Sequence, residues 1–582
     1  MTSDPSTFTP AVEDIEAGLL IIGGGAAGSF AAAHARSLDP SLDVVVVEKA
    51  NIIRSGCLCA GISSINAYVN KGETPESFTR WVANDNFGVI REDLVLSLAK
   101  RLDEAVKKVE SWGLPILKEP DGSYTPRGRG SIKIRGERIK PIMARAVAQS
   151  GARVINRVAA TNFWMAGGRV AGVLGFNVRT GAFVRIRAPH TIIATGGCGG
   201  LYLPTNTGLA RHKVWYSPFN TGAGLAMGLR AGAEMTSFEM RFIALRVRDF
   251  MSPTGVLAQG FKCKQVNRLG ENYLEKYYSG WGGQKMSTAH RLLATLMEDR
   301  AGRGPCYLDT SHLTEADMVK IKTSYLDMSP SILLMWGDKR IDPKLNPVRI
   351  CGSEPYVQGG HGMSGYWIGT DRRTTIPGLH AIGDVAGGAP KKYASGGWAE
   401  AMIAVDDILS RPDTGNSGKA DRDELEENAR REQERVYKPF VRREKYRGPV
   451  SGYVLPEEVE LRLQKLMDEY AGGISKEYEL RADRLDIARH ALRKLEGVVD
   501  RMAAPQMHDL MLAHEVIDRI LVARALVEHL DCRKETRWPC YQTRTDYPER
   551  DDANWLKFVN TVYDTKSNEV RAVTRPLESG RP

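Results

Sequence analysis

The sequence contains no Cys-x-x-Cys pair among its eight cysteines. Zinc ribbons and iron–sulfur clusters use such closely spaced thiolates, so neither kind of site, and no other metal site, is expected within this chain. The two cysteines nearest to each other, Cys57 and Cys59, could form a redox-active pair. We favour the simpler interpretation that they are buried thiols on an apolar loop.

The sequence also lacks any uninterrupted apolar run of about 20 residues, the length that a membrane-spanning helix requires. Residues 1–17 are polar and acidic, which is unlike a secretory leader. We therefore expect no direct membrane insertion and a cytoplasmic location.

Acidic residues are fewer than basic ones: 70 Asp and Glu stand against 80 Lys and Arg, which gives a formal net charge of +10. This balance favours acidic partners or a small anionic substrate. The two main basic clusters, 127–140 and 430–447, lack the sequence of a recognised nucleic-acid-binding module, so no nucleic acid is expected. A phosphorylated or sulfated substrate, or an acidic electron-carrier protein, fits better.

A chain of 582 residues is too long for one hydrophobic core. Its patterns change along the chain, and apolar residues at helical spacing predict helices at 457–471, 476–495 and 508–530. The stretch 412–419 has the composition of a linker. The predicted divisions are a first α/β part (1–230), an inserted segment (231–350), a second α/β part (351–411), a helical domain (420–530) and a tail (531–582).

The most informative pattern is a buried strand followed by a glycine-rich turn. The apolar run 19–22 leads into the turn, and a second apolar run, 44–47, ends in an acid. Such a turn lets the backbone approach a pyrophosphate while the acid accepts hydrogen bonds from a ribose. The pattern predicts a dinucleotide site rather than an unliganded turn, with these contact residues: Gly23, Gly25, Ala26, Ala27, Gly28, Glu48 and Lys49.

Two further segments have the character of strands that end beside the same site. The run 191–197 ends in Thr195, Gly196 and Gly197, and the run 375–384 ends in Gly-Asp. Shortly after it, the stretch 394–397 predicts a helix entry whose backbone N–H groups could face a ligand oxygen.

These three separated elements resemble the flavoprotein family that contains succinate dehydrogenase, fumarate reductase, aspartate oxidase and adenylylsulfate reductase. The resemblance implies an α/β fold: a Rossmann-like FAD-binding domain (1–230 and 351–411), an inserted α+β capping domain (231–350) and a C-terminal helical domain. It implies that Asp384 contacts the ribitol of FAD and that Ser395 and Gly396 lie at the isoalloxazine end. The stretch 55–57 has no histidine where some members attach FAD, so non-covalent FAD is implied.

Within this family the sequence departs from the dicarboxylate enzymes. Their Gln-Phe-His-Pro-Thr motif is replaced by Ser-Phe-Glu-Met-Arg at 237–241, and their Ala-Arg-Gly-Glu motif is not visible. The stretch 238–246, the Gly-His-Gly at 360–362 and the tail stretch 533–549 resemble the alpha (flavoprotein) subunits of dissimilatory adenylylsulfate reductases instead. That resemblance implies an FAD-dependent oxidoreductase that interconverts adenylylsulfate with sulfite and AMP, with electrons from a ferredoxin-like iron–sulfur subunit.

The same resemblance implies the roles of five residues near the flavin. Arg246 and His361 would be catalytic: the guanidinium would hold sulfate oxygens, and the imidazole, titrating near neutrality, would donate a proton. Asn66, Trp215 and Arg241 would bind substrate. Each has a structural alternative: an ion pair for the arginines, a structural histidine, a core tryptophan, and an asparagine in a turn.

Two alternative functions stay open. The segment 250–260 differs from that of the sulfate-reducing enzymes, so an enzyme of this fold could act on another substrate, of the fumarate and succinate type or unrelated. A flavin-binding electron-transfer subunit without its own substrate is the second alternative.

Overall fold

The computed structural model describes residues 8–67, 72–128, 130–204, 214–248, 252, 254–411 and 419–577. The predicted linker falls at 412–419 and so lies almost wholly outside these residues, as do 250, 251 and 253 of the departing segment.

Strands and helices alternate along most of the chain. The strands are β1 (Val12–Glu16), β2 (Leu19–Ile22), β3 (Val44–Glu48), β4 (Ser64–Asn66), β5 (Ser131–Lys133), β6 (Arg153–Asn156), β7 (Val158–Ala166), β8 (Arg169–Asn177), β9 (Phe183–Arg187), β10 (His190–Ile193), β11 (Met235–Thr236), β12 (Leu245–Val247), β13 (Gln265–Val266), β14 (Tyr307–Leu308), β15 (Val348–Gly352), β16 (Gly365–Tyr366), β17 (Leu379–Ala381), β18 (Glu479–Leu480), β19 (Thr543–Arg544), β20 (Lys557–Asp564) and β21 (Glu569–Pro576). The helices are α1 (Ala26–Leu38), α2 (Pro75–Asp85), α3 (Glu92–Ser111), α4 (Ile139–Ser150), α5 (Ala223–Arg230), α6 (Tyr273–Lys276), α7 (Thr288–Arg300), α8 (Glu315–Leu326), α9 (Ser331–Asp338), α10 (Tyr393–Leu409), α11 (Lys419–Val441), α12 (Pro456–Tyr470), α13 (Ala482–Val499), α14 (Met507–Cys532) and α15 (Asp552–Trp555).

A five-stranded parallel sheet with the order β17-β10-β2-β3-β6 forms the centre of the molecule. Strands β2 and β3 are buried on both faces, which explains their unbroken runs of Leu, Ile and Val. Helix α1 packs against α4 and α10. Because all five strands are parallel, their carboxyl ends lie along one edge, where ligands of open α/β sheets bind.

A second sheet, β12-β15-β14-β13, forms the inserted cap together with helices α6 to α9. A third, β1-β9-β8-β7, packs against α11 of the helical domain. The predicted fold class is therefore confirmed: an α/β nucleotide-binding core, an inserted α+β cap and a C-terminal helical domain.

The helical domain is built around α14, which is buried on nearly all sides and contacts α11, α12, α13 and α5. One predicted helix begins too early. The expected start was residue 476, whereas α13 starts at Ala482 because the residues of β18 pair with β19 of the tail. This strand pairing joins segments more than 60 residues apart, which helical periodicity does not reveal.

The tail packs onto the core through strands and buried charges. Strand β20 pairs with β11, so residues from the end of the chain complete the sheet β16-β11-β20-β21. Near the start of the tail, the buried Arg533 donates to Glu239 at 2.9 Å and to Glu535 at 2.8 Å. Trp538 is buried beside them, so core packing accounts for this aromatic residue of the tail.

Candidate flavin and substrate site

A cleft of about 1820 Å³ lies at the carboxyl edge of the parallel sheet and continues beneath the cap. Pockets for single small ligands measure roughly 300–1,000 Å³, so this cleft has room for a dinucleotide and a second ligand. Twelve predicted site residues line it: Gly23, Gly25, Ala26, Ala27, Glu48, Lys49, Asn66, Thr195, Gly196, Trp215, His361 and Asp384. The other six do not: Gly28, Gly197, Arg241, Arg246, Ser395 and Gly396.

The turn after β2 requires glycine at two positions for different reasons. Gly23 has a φ of 105°, and a Cβ atom there would lie 2.6 Å from the carbonyl oxygen of Ala194. A Cβ atom at Gly28 would lie 1.9 Å from the carbonyl oxygen of Gly23, so only glycine lets α1 pack so closely on the strand. At Gly25 the nearest atom would be 4.0 Å away. The first turn of α1 therefore faces open space in which its N–H groups can bind a pyrophosphate.

Glu48 and Lys140 fix the shape of this turn. The carboxylate of Glu48 accepts hydrogen bonds from the backbone N–H groups of Gly24, at 2.9 Å, and Ala50, at 2.7 Å. The buried ammonium of Lys140 donates to the carbonyl oxygen of Gly24 at 2.5 Å, and burial lowers the pKa of Lys140 to about 8. Sequence analysis placed Lys140 only in a basic cluster and missed its position beneath the nucleotide turn.

The ends of β10 and β3 supply further contacts for a ligand. Thr195 lines the cleft, and its buried hydroxyl, which lies against Gly224, has no hydrogen-bond partner among the described residues. Gly196 has a φ of 77°, a backbone conformation that favours glycine. Lys49 lines the cleft, but its ammonium pairs with Glu515 at 2.7 Å. Gly197 packs behind the cleft wall.

Asp384, just beyond β17, is held by a residue that the sequence did not single out as a site residue. The hydroxyl of Tyr216 donates to Oδ2 of Asp384 at 2.8 Å, and the ring of Tyr216 stacks on Tyr356 with 4.8 Å between centroids. Burial raises the pKa of the Asp384 carboxyl above its usual range. A tyrosine pair therefore supports the carboxylate predicted to contact ribitol.

The helix entry predicted at 394–397 is present as the first turn of α10. It reaches the cleft through Ala394 and Gly397 rather than through Ser395 and Gly396. The Ser395 hydroxyl donates to the carbonyl oxygen of Asn66, and a Cβ atom at Gly396 would lie 2.3 Å from the Cβ atom of Lys392. The two predicted contacts thus shape the wall from behind, because helical geometry points neighbouring residues in different directions.

Trp215, His361 and Asn66 line the same cleft, as predicted. The ring of His361 lies 5.7 Å from that of Trp215 and 4.6 Å from that of Tyr393, and the Asn66 amide donates to the carbonyl oxygen of Lys391 at 2.6 Å. Burial lowers the pKa of His361 to about 4, so the imidazole is neutral at pH 7. The expectation that it titrates near neutrality is wrong.

Arg241 does not reach the cleft, contrary to its predicted substrate-binding role. Its buried guanidinium donates to four carbonyl oxygens, those of Ala471, Gly472, Tyr478 and Tyr541, at 2.7–3.2 Å. These acceptors belong to the helical domain and the tail. Arg241 therefore holds distant segments together, and the structural alternative for this arginine describes its contacts.

Arg246, on β12, is fully buried and is not among the residues that line the cleft, although its neighbour Leu245 is. Its charge acts on the buried Glu354, whose carboxyl accepts a hydrogen bond from the backbone N–H of Trp215. Burial raises the pKa of Glu354 to about 7, and Arg246 opposes part of that rise. Arg246 can therefore influence the site through Glu354 and Trp215.

Seven cations that sequence analysis did not name as site residues line the cleft: Arg54, Arg127, Arg157, Lys285, Arg291, Lys339 and Lys391. The ammonium of Lys391 pairs with Asp85, whereas Arg291 donates to neutral oxygens, including Oε1 of Gln265 at 3.1 Å. The signal for Arg127 was present in the basic cluster 127–140, but charge alone does not reveal which members of a cluster face inwards.

The cysteines of the described residues are all unpaired. Cys57 is exposed to the cleft, so it is not a buried thiol as expected, and the surrounding protein raises the pKa of its thiol. No three His, Cys, Asp or Glu side chains within the described ranges are grouped as metal ligands. No helix in that part of the chain is long and apolar enough to cross a membrane.

The donor set of the cleft fits FAD. A glycine turn at a helix N-terminus suits the pyrophosphate, Gly196 lets the backbone after β10 line the cleft, and Asp384 presents a carboxylate further along. The cap end then remains for a second ligand.

Comparisons with known proteins agree with this geometry. Residues 18–398 match the family described as FAD binding domain, and residues 460–581 match the fumarate reductase flavoprotein C-terminal family. The chain is 29% identical to the adenylylsulfate reductase subunit alpha of Megalodesulfovibrio gigas, over 97% of this chain and 96% of that protein. Adenylylsulfate reductase from Archaeoglobus fulgidus superimposes with a TM-score of 0.91 at 36% identity, over 97% of this chain and 96% of that one. An adenosine-5-phosphosulfate reductase in complex with sulfite, as a covalent adduct, gives a TM-score of 0.90 at 36% identity, with the same coverage of both chains. The chain therefore belongs to the FAD-binding flavoprotein family that contains the adenylylsulfate reductase alpha subunits.

Proposed function

We propose that this chain is the FAD-carrying catalytic subunit of a cytoplasmic enzyme that interconverts adenylylsulfate with sulfite and AMP. The observation that carries the proposal is that the rings of Trp215 and His361 lie 5.7 Å apart in a cleft that Asn66 and several cations able to hold an oxyanion also line. The full-length likeness to adenylylsulfate reductases supports the same choice of substrate.

The proposed reaction reduces the sulfur of adenylylsulfate by two electrons and breaks its bond to the bridging oxygen, which leaves with AMP. Bound FAD would supply those electrons. The protein must hold the negatively charged oxygens, place the sulfur and exclude water. His361 is neutral, so it would orient a substrate oxygen by hydrogen bonding rather than act as an imidazolium acid.

Trp215 is held in a position where its ring can stack against a planar ligand. Its ring stacks on Tyr356, 5.5 Å between centroids, and its backbone is held by Glu354. A flat aromatic face fixed from behind can support a planar ligand such as adenine or a flavin ring. Asn66 would orient a substrate oxygen or flavin edge from the end of β4, with its own amide already fixed on the backbone of Lys391.

The electrons are proposed to come from a ferredoxin-like iron–sulfur subunit. No cysteine pair of this chain has the spacing of a cluster site, and its net charge of +10 would speed the encounter with an acidic partner. Binding of such a partner should therefore weaken as the salt concentration rises.

The proposal is tested with the FAD-loaded chain and a reduced viologen dye under anaerobic conditions. We expect dye oxidation when adenylylsulfate is added and none when fumarate is added. Dye oxidation with fumarate alone would support the alternative dicarboxylate activity. No oxidation with either, with FAD bound, would favour another substrate or a subunit that only transfers electrons.

A further inference from the structure

We infer that Arg127 holds the substrate oxyanion, a role that sequence analysis did not give to this residue. The choice of a sulfate or phosphate group as that anion rests on the proposed function. The position of the guanidinium does not, because it follows from the contacts of Arg127 alone.

Arg127 lies on the substrate side of the cleft. Its guanidinium donates to the hydroxyl of Ser64, two residues before Asn66. Tyr393 lines the same cleft, and its ring contacts that of His361 at 4.6 Å between centroids. Arg127 therefore lines one cleft together with the predicted site residues Asn66 and His361.

The charge of Arg127 has no carboxylate partner among the described residues. Its guanidinium donates to the neutral Ser64 hydroxyl, whereas the ammonium of Lys391 pairs with Asp85. An arginine stays charged at any physiological pH, and a half-buried cation without a counter-ion is unfavourable. Its planar N–H fork matches the geometry of sulfate and phosphate oxygens, so an anionic ligand would satisfy it.

Gly255 sets where the guanidinium lies. A Cβ atom at Gly255 would be 2.6 Å from Nη2 of Arg127, so alanine there would push the guanidinium aside. The backbone of Gly255 has a φ of −59°, which alanine adopts without strain. Gly255→Ala is thus a variant that moves the cation without removing it. Gly260, five residues later, would have only one atom near a Cβ, at 3.9 Å, and supplies a matched control.

The experiment measures ligand binding to the oxidised, FAD-loaded chain, in which no electrons are available for turnover. Adenylylsulfate, AMP and inorganic sulfate are titrated separately, and flavin absorbance reports binding. We expect Arg127→Gln to weaken adenylylsulfate binding about 10- to 100-fold and Gly255→Ala to weaken it several-fold. Gly260→Ala should bind like the parent.

The separate ligands identify which group Arg127 holds. If the variants lose affinity for AMP as well, Arg127 holds the phosphate; if they lose only adenylylsulfate and sulfate, it holds the sulfate. Parent-like affinity of Arg127→Gln for all three ligands would overturn the inference. FAD content and thermal unfolding check that each variant is folded. If Arg127→Gln does not fold, the affinities of Gly255→Ala are used instead. Parent-like affinity of Gly255→Ala would then overturn the inference.

Failure of the proposed function gives a different result. If the parent does not bind adenylylsulfate but binds inorganic sulfate or phosphate, and Arg127→Gln loses that binding, then Arg127 holds an oxyanion of another substrate. If the parent binds no anion at all, the inference is wrong.

Discussion

The buried carboxyl group of Glu354 accepts a hydrogen bond from the backbone N–H of Trp215 and lies beside the charge of Arg246. Through this contact a residue outside the cleft fixes the loop that carries the tryptophan. It also explains how Arg246 can matter to the site without touching a ligand.

Burial of Glu354 predicts a pH-dependent loss of stability. The pKa of this carboxyl is raised from 4.5 to about 7 in the folded protein. Between these values the folded protein keeps a proton that the unfolded chain has released, so the free energy of unfolding falls as the pH rises, by about 3 kcal/mol in total. Glu354→Gln keeps an acceptor for Trp215 and removes the titration.

We therefore expect the melting temperature of Glu354→Gln to gain a few degrees relative to the parent between pH 5 and pH 8, measured by calorimetry with FAD in excess. Glu104→Gln changes a carboxylate that is 58% exposed and serves as the control. A constant difference between Glu354→Gln and the parent across this range would contradict the assigned burial effect.

Arg241 is predicted to contribute stability rather than substrate affinity. Arg241→Met would take a donor from four buried carbonyl oxygens, of which that of Ala471 still accepts from Tyr202, at a cost of several kcal/mol. The variant should melt at a clearly lower temperature and release the tail to limited proteolysis, while the KM of the folded fraction stays within about twofold. A large rise in KM with parent-like melting would instead restore the substrate-binding role.

Gly25 and Gly28 are predicted to respond differently to the same substitution. A Cβ atom at Gly28 would collide with the backbone of Gly23, so Gly28→Ala should lower the yield of folded protein. Gly25→Ala meets no protein atom closer than 4.0 Å, so the chain should fold but bind FAD at least about tenfold more weakly, because the pyrophosphate comes close to this backbone. Apoprotein melting and FAD titration separate the two effects, and equal FAD affinity in Gly25→Ala would count against the placement of the cofactor.

His361 is predicted not to titrate between pH 5.5 and 8. Its pKa is lowered to about 4 by burial, so the imidazole is neutral throughout this range. In dye-linked assays, any break in log(kcat/KM) in this interval should persist in His361→Gln, although the overall rate falls. A break near pH 6.5 that disappears in His361→Gln would show that the histidine is an acid or base after all.

The sequence was a good guide to the nucleotide half of the site, because the patterns there are local. The buried runs of β2 and β3, the glycines between them and the acid at Glu48 are all within 30 residues of one another. Each has a direct physical reason, and the structure places them where the pattern predicts.

The substrate half could not be predicted as well, because it depends on contacts between distant segments. The position of Arg241 follows from how the tail and the helical domain pack, and the sequence does not indicate which side chains of the short strand β12 line the cleft. Arg127 reaches the cleft because β5, which follows it, pairs with β4 beside Asn66. Residue type and spacing alone do not predict such pairings between distant segments.

The most direct test of the proposed function is a single turnover. The FAD-loaded chain is reduced to completion, freed of dye and mixed anaerobically with an excess of adenylylsulfate, and flavin absorbance, sulfite and AMP are followed together. The account predicts one sulfite and one AMP for each flavin reoxidised. Bound adenylylsulfate with no reoxidation and no sulfite would contradict it.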